Sequence, residues 1–472
     1  MLQKILIANR GEIAVRIIRA CAEMGIISVA VYSEADRHAL HVKKADEAHS
    51  LGDDPLAGYL NPHKLVNLAL ETGCDAIHPG YGFLSENAQF AEICARRGIQ
   101  FIGPDADIIR RMGDKTEARA LMQSARVPVV PGSEGNLKDV DEALALAGKI
   151  GYPVMLKATS GGGGRGIRRC NDEAELKRNY ERVVSEATKA FGSAEVFLEK
   201  CIVNPHHIEV QILADRHGNA IHLFERDCSI QRRNQKLIEI APSPQLSEEQ
   251  RRTVCELAVK ATRAAGYENA GTVEFLLDGE GHFYFMEMNT RVQVEHTITE
   301  SITGVDIVEE QIRIASGLPL RYSQDEVQKR GFAIQFRINA EDPRNEFLPS
   351  FGRITRYYAP GGPGVRTDTA IYTGYDIPHY YDSMIAKLIV WGLTFEDAIA
   401  RSLRALDDMD ISGIKTTRPY YRQILNHPDF HAARFDTGFV EAHPELSRYS
   451  EKRSKSHIAT ALAAAIAAHA GL

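Results

Sequence analysis

Four glycines in a row, Gly161 to Gly164, sit inside the run Lys157-Ala158-Thr159-Ser160-Gly161-Gly162-Gly163-Gly164-Arg165-Gly166 and leave few folds open to it. An apolar strand over 153–158 feeds the run, and Ile167-Arg168-Arg169-Cys170 leaves it as a second strand. Gly161, Gly163 and Gly166 formally satisfy G-x-G-x-x-G. A dinucleotide turn opens directly into a helix, however, and this run opens into a strand. No Gly-Lys-Ser/Thr follows, so a Walker loop is excluded. What remains is a glycine-rich hairpin. With no Cβ in the way, its backbone N–H groups can close over phosphates. For the glycines alone, a hairpin without ligand is the plain alternative. Lys157 tips the balance, because a lysine ending an apolar strand is placed to reach an anion and would be costly as a core residue.

The rest of the chain supplies the frame. Lys4 to Ala8 is a strand, Asn9-Arg10-Gly11-Glu12 a turn, and Ile13, Ile17, Ile18, Cys21 and Met24 recur at helical spacing before a second strand over 26–32. This βαβ unit builds a parallel sheet. Its first turn holds one glycine, so the dinucleotide fingerprint is absent there as well. A helix over 63–72, a strand at Ala76-Ile77-His78 and a Pro/Gly loop, Pro79-Gly80-Tyr81-Gly82-Phe83, follow. Pro128, Pro131 and Gly132 mark a linker into a small unit with helices over 139–150 and 173–190. From about residue 203 strands dominate. Segments 207–214, 220–226, 271–277 and 282–289 read as consecutive antiparallel strands, covered by helices near 247–265 and 305–316. The expected division is an α/β unit over 1–113, a linker and lid over 114–202, a strand-rich unit over 203–446, and a linker with an Ala-rich helix over 447–472. The 472 residues fit about three domains at roughly 150 residues each.

Composition narrows the partners. The formal net charge of −7 argues against a bulk nucleic-acid ligand, though a local basic groove can still hold phosphates. No apolar run of about 18 residues occurs, so no membrane span is expected. The opening Met1-Leu2-Gln3-Lys4 runs straight into a strand and reads as no signal peptide. Seven scattered cysteines without a CxxC indicate neither zinc nor a disulfide framework, which fits a reducing cytoplasm.

A carboxylate pair carries the second chemical signal. Glu274 lies in Gly271-Thr272-Val273-Glu274-Phe275-Leu276 and Glu287 in Phe283-Tyr284-Phe285-Met286-Glu287-Met288-Asn289, with Asp278-Gly279-Glu280-Gly281 as the turn. With a two- or four-residue loop, paired positions sum to an odd number, so both side chains fall on one face. Carboxylates that close repel, and hard divalent ions bridging phosphates would relieve them. A solvated polar face is the alternative. The pattern then continues: Glu287, Asn289, Arg291, Gln293 and Glu295 alternate with Met288, Thr290, Val292 and Val294, which places five polar groups along one side of an extended run. Upstream, Arg226 to Lys236 is a basic cluster, readable as a solvated basic face.

Together these residues resemble the ATP-grasp superfamily, and more closely the biotin carboxylases, over residues 1–445. The matching runs include Ile7-Ala8-Asn9-Arg10-Gly11-Glu12, His78-Pro79-Gly80-Tyr81-Gly82-Phe83-Leu84-Ser85-Glu86-Asn87, Gly161 to Gly166, Glu225 to Arg233, Glu287-Met288-Asn289-Thr290-Arg291, Arg337-Ile338-Asn339-Ala340-Glu341-Asp342-Pro343 and Tyr381-Asp382-Ser383-Met384. The resemblance implies a mixed α/β and α+β fold: an ATP-grasp fold with a Rossmann-like N-terminal sheet, a mobile lid and a C-terminal antiparallel-sheet domain. It implies that ATP phosphorylates bicarbonate to carboxyphosphate, whose CO₂ then carboxylates biotin. By the same resemblance Lys115, Lys157 and His207 hold ATP phosphates beneath a lid of Gly161, Gly162, Gly163, Gly164 and Gly166. Glu199, Lys200 and Ile202 line the adenine pocket with Gln231 nearby. Glu274, Glu287 and Asn289 bind two Mg²⁺ or Mn²⁺ ions. Arg291, Gln293, the Val294 backbone and Lys236 hold bicarbonate, and Glu295 is its general base. Arg337 stabilises the biotin enolate, and Tyr81 contacts biotin. A homodimer is expected.

Two positions depart from the resemblance. Asn234 stands where histidine is common, which predicts altered phosphate or nucleotide contacts. Thr297 follows Glu295-His296 where proline is usual, which predicts a different setting of the loop after the base. No Met-Lys dipeptide for biotin attachment occurs, so biotin is expected on a separate carrier or carboxyltransferase chain. The charged linker and Ala-rich tail, with Ile458, Leu462 and Ile466 at i, i+4, i+8, resemble the biotin carboxylase subunit of two-subunit pyruvate carboxylases. That tail reads either as a packed terminal helix or as one that docks a partner chain. Acetyl-CoA carboxylase is the alternative enzyme. An NAD-binding oxidoreductase is the reading of a different class, with its glycines in the wrong unit.

Overall fold

The computed structural model describes residues 1–159, 166–191, 194–450 and 455–470. Gly161 to Gly164, and with them most of the glycine run, lie outside the described residues. The N-terminal unit is a five-stranded parallel sheet in the order Glu47–Ser50, Ile27–Tyr32, Lys4–Ile7, Ala76–His78, Gln100–Phe101. Helix Gly11–Glu23 turns Ile13, Ile17, Ile18 and Cys21 inward, as their spacing predicts. It follows Arg10, so the Asn9–Glu12 turn stands at the carboxyl end of the central strand, where parallel sheets present their functional loops.

The small unit holds a three-stranded antiparallel sheet, Ile167–Cys170, Val154–Ala158 and Val196–Lys200, packed against helices Val140–Ile150 and Glu173–Phe191. Lys157 pairs with Ile167, so the strands before and after the glycine run are antiparallel neighbours. Leu156, Leu176, Val183 and Leu198 give this unit a core of its own.

The third sheet has eight antiparallel strands in the order Phe283–Asn289, Asn269–Leu277, His206–Ala214, Ala220–Arg232, Gln235–Ala241, Phe332–Asn339, Met384–Gly392, Val365–Thr369. Strands 220–232 and 269–277 are therefore not neighbours; they flank 206–214 on either side. The strand expected to end at Arg226 runs on to Arg232 and returns as Gln235–Ala241. The two-residue turn Arg233-Asn234 has φ +49° and +63°, the left-handed pair that a tight hairpin requires and that asparagine tolerates. The basic cluster thus lies on two paired strands, with Arg226 fully buried and Arg233 exposed at the turn.

The long polar alternation is corrected too. Strand 283–289 ends at Asn289, and Glu295 precedes helix His296–Thr303 as its N-cap residue. Helix Lys455–His469 forms the tail, with Leu462 59 % and Ile466 68 % exposed, so these two side chains do not pack on their own chain. Among the described residues no helix is long and apolar enough to cross a membrane.

Candidate active site

The carboxylate pair forms, but not by the expected loop. Residues 278–282 make a five-residue connection, so Leu277↔Phe283, Leu276↔Tyr284 and Phe275↔Phe285 pair with even sums. A bulge at Met286 then shifts the register by one, and Glu274 faces Glu287 directly. Without that bulge Met286 would oppose Glu274. The inserted residue re-aims the strand end, the usual service of a bulge beside a site.

Polar residues at alternate positions of neighbouring strands converge here. Lys236 Nζ lies 2.5 Å from Glu209 Oε2, 2.7 Å from Glu295 Oε1 and 3.0 Å from Glu274 Oε1. Glu274 Oε1 also accepts from Asn289 Nδ2 at 2.9 Å and Gln293 Nε2 at 2.8 Å, and His207 Nε2 meets Glu274 Oε2 at 2.8 Å. Arg337 donates from Nη2 to Glu295 Oε2 at 3.1 Å and from Nε to Glu239 Oε1 at 2.5 Å. Arg291 turns aside, giving Nε to Glu86 Oε2 at 2.9 Å and Nη2 to Asn289 Oδ1 at 2.9 Å. Its ion pair with Glu86 ties the N-terminal unit to the rim of the large sheet.

Behind this group the Arg226 guanidinium has every donor occupied. It reaches Glu209 Oε1 at 2.5 Å, Gln211 and Gln293 at 2.7 Å, and Thr272 and Thr299 at 3.1 Å. Its bond to Gln293 Oε1 fixes that amide so that the Nε2 end points at Glu274. A buried charge is tolerable only when paired and fully hydrogen-bonded, and Arg226 meets that condition.

The electrostatics follow from burial and these partners. Burial alone would raise Glu274, but Lys236 and His207 outweigh it and hold its carboxyl well below the usual range. Glu295 is likewise lowered: burial opposes ionisation, while Lys236, Arg337 and Arg226 overcome it. Glu287 is raised, by burial first and by the facing Glu274 second. The pair is therefore short of positive charge on the Glu287 side, a donor set suited to a hard divalent ion. Burial would lower His207, yet Glu274 raises it.

Other expected residues lie elsewhere. Lys157 is 2.5 Å from Glu199, which Arg119 also reaches at 3.2 Å. The Lys200 amine is spent on the Gly151 and Tyr152 carbonyls. Lys115 opens helix Lys115–Ser124 and acts electrostatically on Glu287. Gln231 and Ile202 occupy the strand 220–232 and the segment after 196–200. Tyr81 donates its hydroxyl to buried Glu12 and lies within electrostatic reach of Arg337. Val294 offers its carbonyl to Lys387 Nζ at 3.0 Å, and Lys387 pairs with Glu12 at the same distance. Glu209, Glu239, Arg226, Glu86, Gln335 and Lys387 were not expected from the sequence. A signal existed for two of them. Glu209 alternates with His207 and Gln211 between Ile208, Val210 and Ile212, and Glu239 interrupts the apolar run Leu237-Ile238-Glu239-Ile240.

Comparison with known proteins agrees with this arrangement. Three family models match in succession: the biotin carboxylase N-terminal domain over 1–109, the carbamoyl-phosphate synthase L chain ATP-binding domain over 114–323, and the biotin carboxylase C-terminal domain over 335–442. The 2-oxoglutarate carboxylase small subunit of Hydrogenobacter thermophilus is 56 % identical over 472 residues, all of both chains. One of the pyruvate carboxylase subunits of Methanothermobacter thermautotrophicus is 53 % identical over 442 residues, 93 % of this chain and 90 % of that one. The biotin carboxylase domain dimer of the Hydrogenobacter enzyme, solved with MgADP, ADP and bicarbonate, superposes with a TM-score of 0.92 at 56 % identity. It covers 96 % of this chain and all of that one. These matches displace the oxidoreductase alternative. The chain belongs to the biotin carboxylase family of ATP-grasp ligases, which carboxylate biotin at the expense of ATP.

Proposed function

We propose that this chain is the biotin carboxylase subunit of a two-subunit pyruvate carboxylase and that it carboxylates biotin borne on the partner chain. The observation that carries the catalytic part is the Lys236 ammonium held among Glu209, Glu274 and Glu295, with Arg337 on the other oxygen of Glu295. Two cations stand against an ionised carboxylate, the groups needed to seat and deprotonate bicarbonate.

In this reading Lys115, Lys157 and His207 bind ATP phosphates together with the glycine run, while Glu199, Lys200, Ile202 and Gln231 serve the adenine end. Arg291, Gln293, the Val294 N–H and Lys236 hold bicarbonate. Glu295 takes its proton, and bicarbonate oxygen attacks the γ-phosphorus as ADP leaves. Carboxyphosphate splits to CO₂ and phosphate, the phosphate accepts the proton of biotin N1′, and N1′ of the enolate then bonds to the CO₂ carbon. Arg337 stabilises the enolate by charge, with Tyr81 at the biotin. Glu274, Glu287 and Asn289 would hold the divalent ions, which supply charge neutralisation along the phosphates. The seven free, buried cysteines fit a cytoplasmic location.

A second reading replaces pyruvate by 2-oxoglutarate. It is favoured by the full-length match to the Hydrogenobacter small subunit, which includes the tail, whereas the match to the Methanothermobacter pyruvate carboxylase chain spans 442 residues. The test is purification with its biotinylated partner, followed by ATP- and bicarbonate-dependent carboxylation of pyruvate, 2-oxoglutarate and acetyl-CoA in parallel. Turnover of pyruvate alone supports the first reading. Turnover of 2-oxoglutarate alone supports the second, and acetyl-CoA alone removes both.

A further inference from the structure

Thr297 stands where the resemblance leads to an expectation of proline, in a helix turn and not the loop expected after Glu295, and the structure gives its hydroxyl a task. Thr297 is fully buried, and its Oγ1 donates to Gln335 Oε1. That leaves the Gln335 Nε2 end to donate to Glu239 Oε2 at 3.0 Å. Glu239 Oε1 takes Nε of Arg337 at 2.5 Å, and Arg337 Nη2 reaches Glu295 Oε2 at 3.1 Å. Thr297 itself lies two residues beyond Glu295, in the first turn of helix His296–Thr303. The bonds therefore close a ring that begins and ends at the same helix start.

The sheet explains why the ring closes. Glu239 and Gln335 are paired opposite one another on strands 235–241 and 332–339. Arg337 is two residues along from Gln335, hence on the same face. The carboxylate is thus held from two sides by one strand, an amide on one oxygen and a guanidinium on the other. Glu239 and Gln335 are both fully buried, so neither can replace a lost partner with bulk water.

We propose that Thr297 is a positioning residue for biotin carboxylation: through Gln335 and Glu239 it fixes the Arg337 guanidinium beside Glu295. The inference rests on the reading of Arg337 as the residue that serves the biotin enolate. Proline at 297 has no hydroxyl and leaves the ring open at Gln335 Oε1. This chain closes it. A guanidinium held at both Nε and Nη2 has lost its freedom to swing before biotin arrives, and preorganised charge stabilises an enolate better than charge that must reorient.

The test uses the intact chain with free biotin. Thr297→Val keeps the shape and removes the hydroxyl, and Thr297→Ser restores it. The expected result is a fall of roughly tenfold in kcat for biotin carboxylation with Val, near wild-type kcat with Ser, and KM for ATP and bicarbonate within about twofold of wild type. The discriminating measurement is the double variant with Arg337→Ala. If Thr297 acts through Arg337, Val at 297 adds no further loss in that background, because coupled sites are not additive. A wild-type rate for Thr297→Val, failure of Ser to restore it, or an undiminished loss in the Arg337→Ala background overturns the inference. Unimpaired biotin carboxylation by Arg337→Ala alone would instead remove the reading on which it stands.

Discussion

Glu287→Gln should move stability and function in opposite directions. Directly opposed side chains in an antiparallel pair have Cβ atoms about 5 Å apart. Two like charges at about 5 Å repel by roughly 3 kcal/mol at an effective dielectric of 20. Glu274 and Glu287 are so opposed, and Lys115 and Lys236 offset part of their repulsion. Part of the repulsion is left uncompensated when no metal is bound, since Glu287 is raised by burial and by Glu274. Glutamine keeps the size and removes the charge, so the metal-free variant should melt later than wild type. The same change removes half of the carboxylate pair proposed to hold the divalent ions. Wild type in ADP should gain further stability when Mg²⁺ is added, by about 2.7 kcal/mol at one hundred times its Kd. The variant should lose most of that gain. Thermal melts in ADP with and without Mg²⁺ read both effects. A variant that melts earlier without metal, or that keeps the full Mg²⁺-dependent gain, refutes the reasoning.

Three other expectations follow from the same contacts. Glu295→Gln should leave nucleotide affinity near wild type and lower biotin carboxylation at least about 10²-fold, as expected for a general base; steady-state rates with free biotin check this. Asp368, set against Arg366 at 2.7 Å, has its carboxyl lowered to about 2, burial being outweighed by Arg366 and Lys387. Its contribution, of order 2 kcal/mol, is present above the unfolded value near 3.8 and lost as pH falls through about 2. Asp368→Asn should therefore flatten the acid limb of a stability–pH curve in that window and lower stability above it. Deleting residues 447–472 should spare free-biotin carboxylation and weaken binding of the biotin-bearing partner, since Leu462 and Ile466 are exposed on the tail helix; unchanged partner affinity in a titration would count against docking.

Much of the frame was legible because burial and periodicity coincide there. The first βαβ unit, strand 76–78 and the helices over 140–150, 173–191 and 248–265 lie within a residue or two of their expected limits. Helix 248–265 is bounded by a Ser247 capping box and a left-handed Gly266, signals that are local in the chain. The site was only half legible. Glu274, Glu287, Gln293 and Glu295 come from short motifs, but nothing local separates Arg226 from a solvated cation, because its partners arrive from other strands and a helix. The alternation from Glu287 to Glu295 promised a straight strand. Arg291 instead turns to Glu86, 205 residues earlier in the chain, and no period in the local sequence records that contact. The Met286 bulge is equally silent. A five-residue loop would have put methionine opposite Glu274, and only the paired register shows the insertion.

The charge arrangement also bears on when the proposed base can act. Glu295 is ionised, as a base must be, but Lys236 and Arg337 hold it so far below the usual carboxylate range that it has little tendency to take a proton. General bases work best with pKa near the working pH. The restraint lies in two cations that the proposed mechanism also assigns to substrates. In that mechanism an anion that draws the Lys236 ammonium away from Glu295 would withdraw the charge that depresses it and make the carboxylate more basic. Glu209 shares Lys236 and is itself buried against Arg226, so it would remain a partner for the ammonium. The coupling is reciprocal, since whatever strengthens the base on anion binding must also bind the anion more tightly when the base takes a proton. In the proposed mechanism, a lysine shared among three carboxylates would restrain the base until a substrate anion competes for the ammonium.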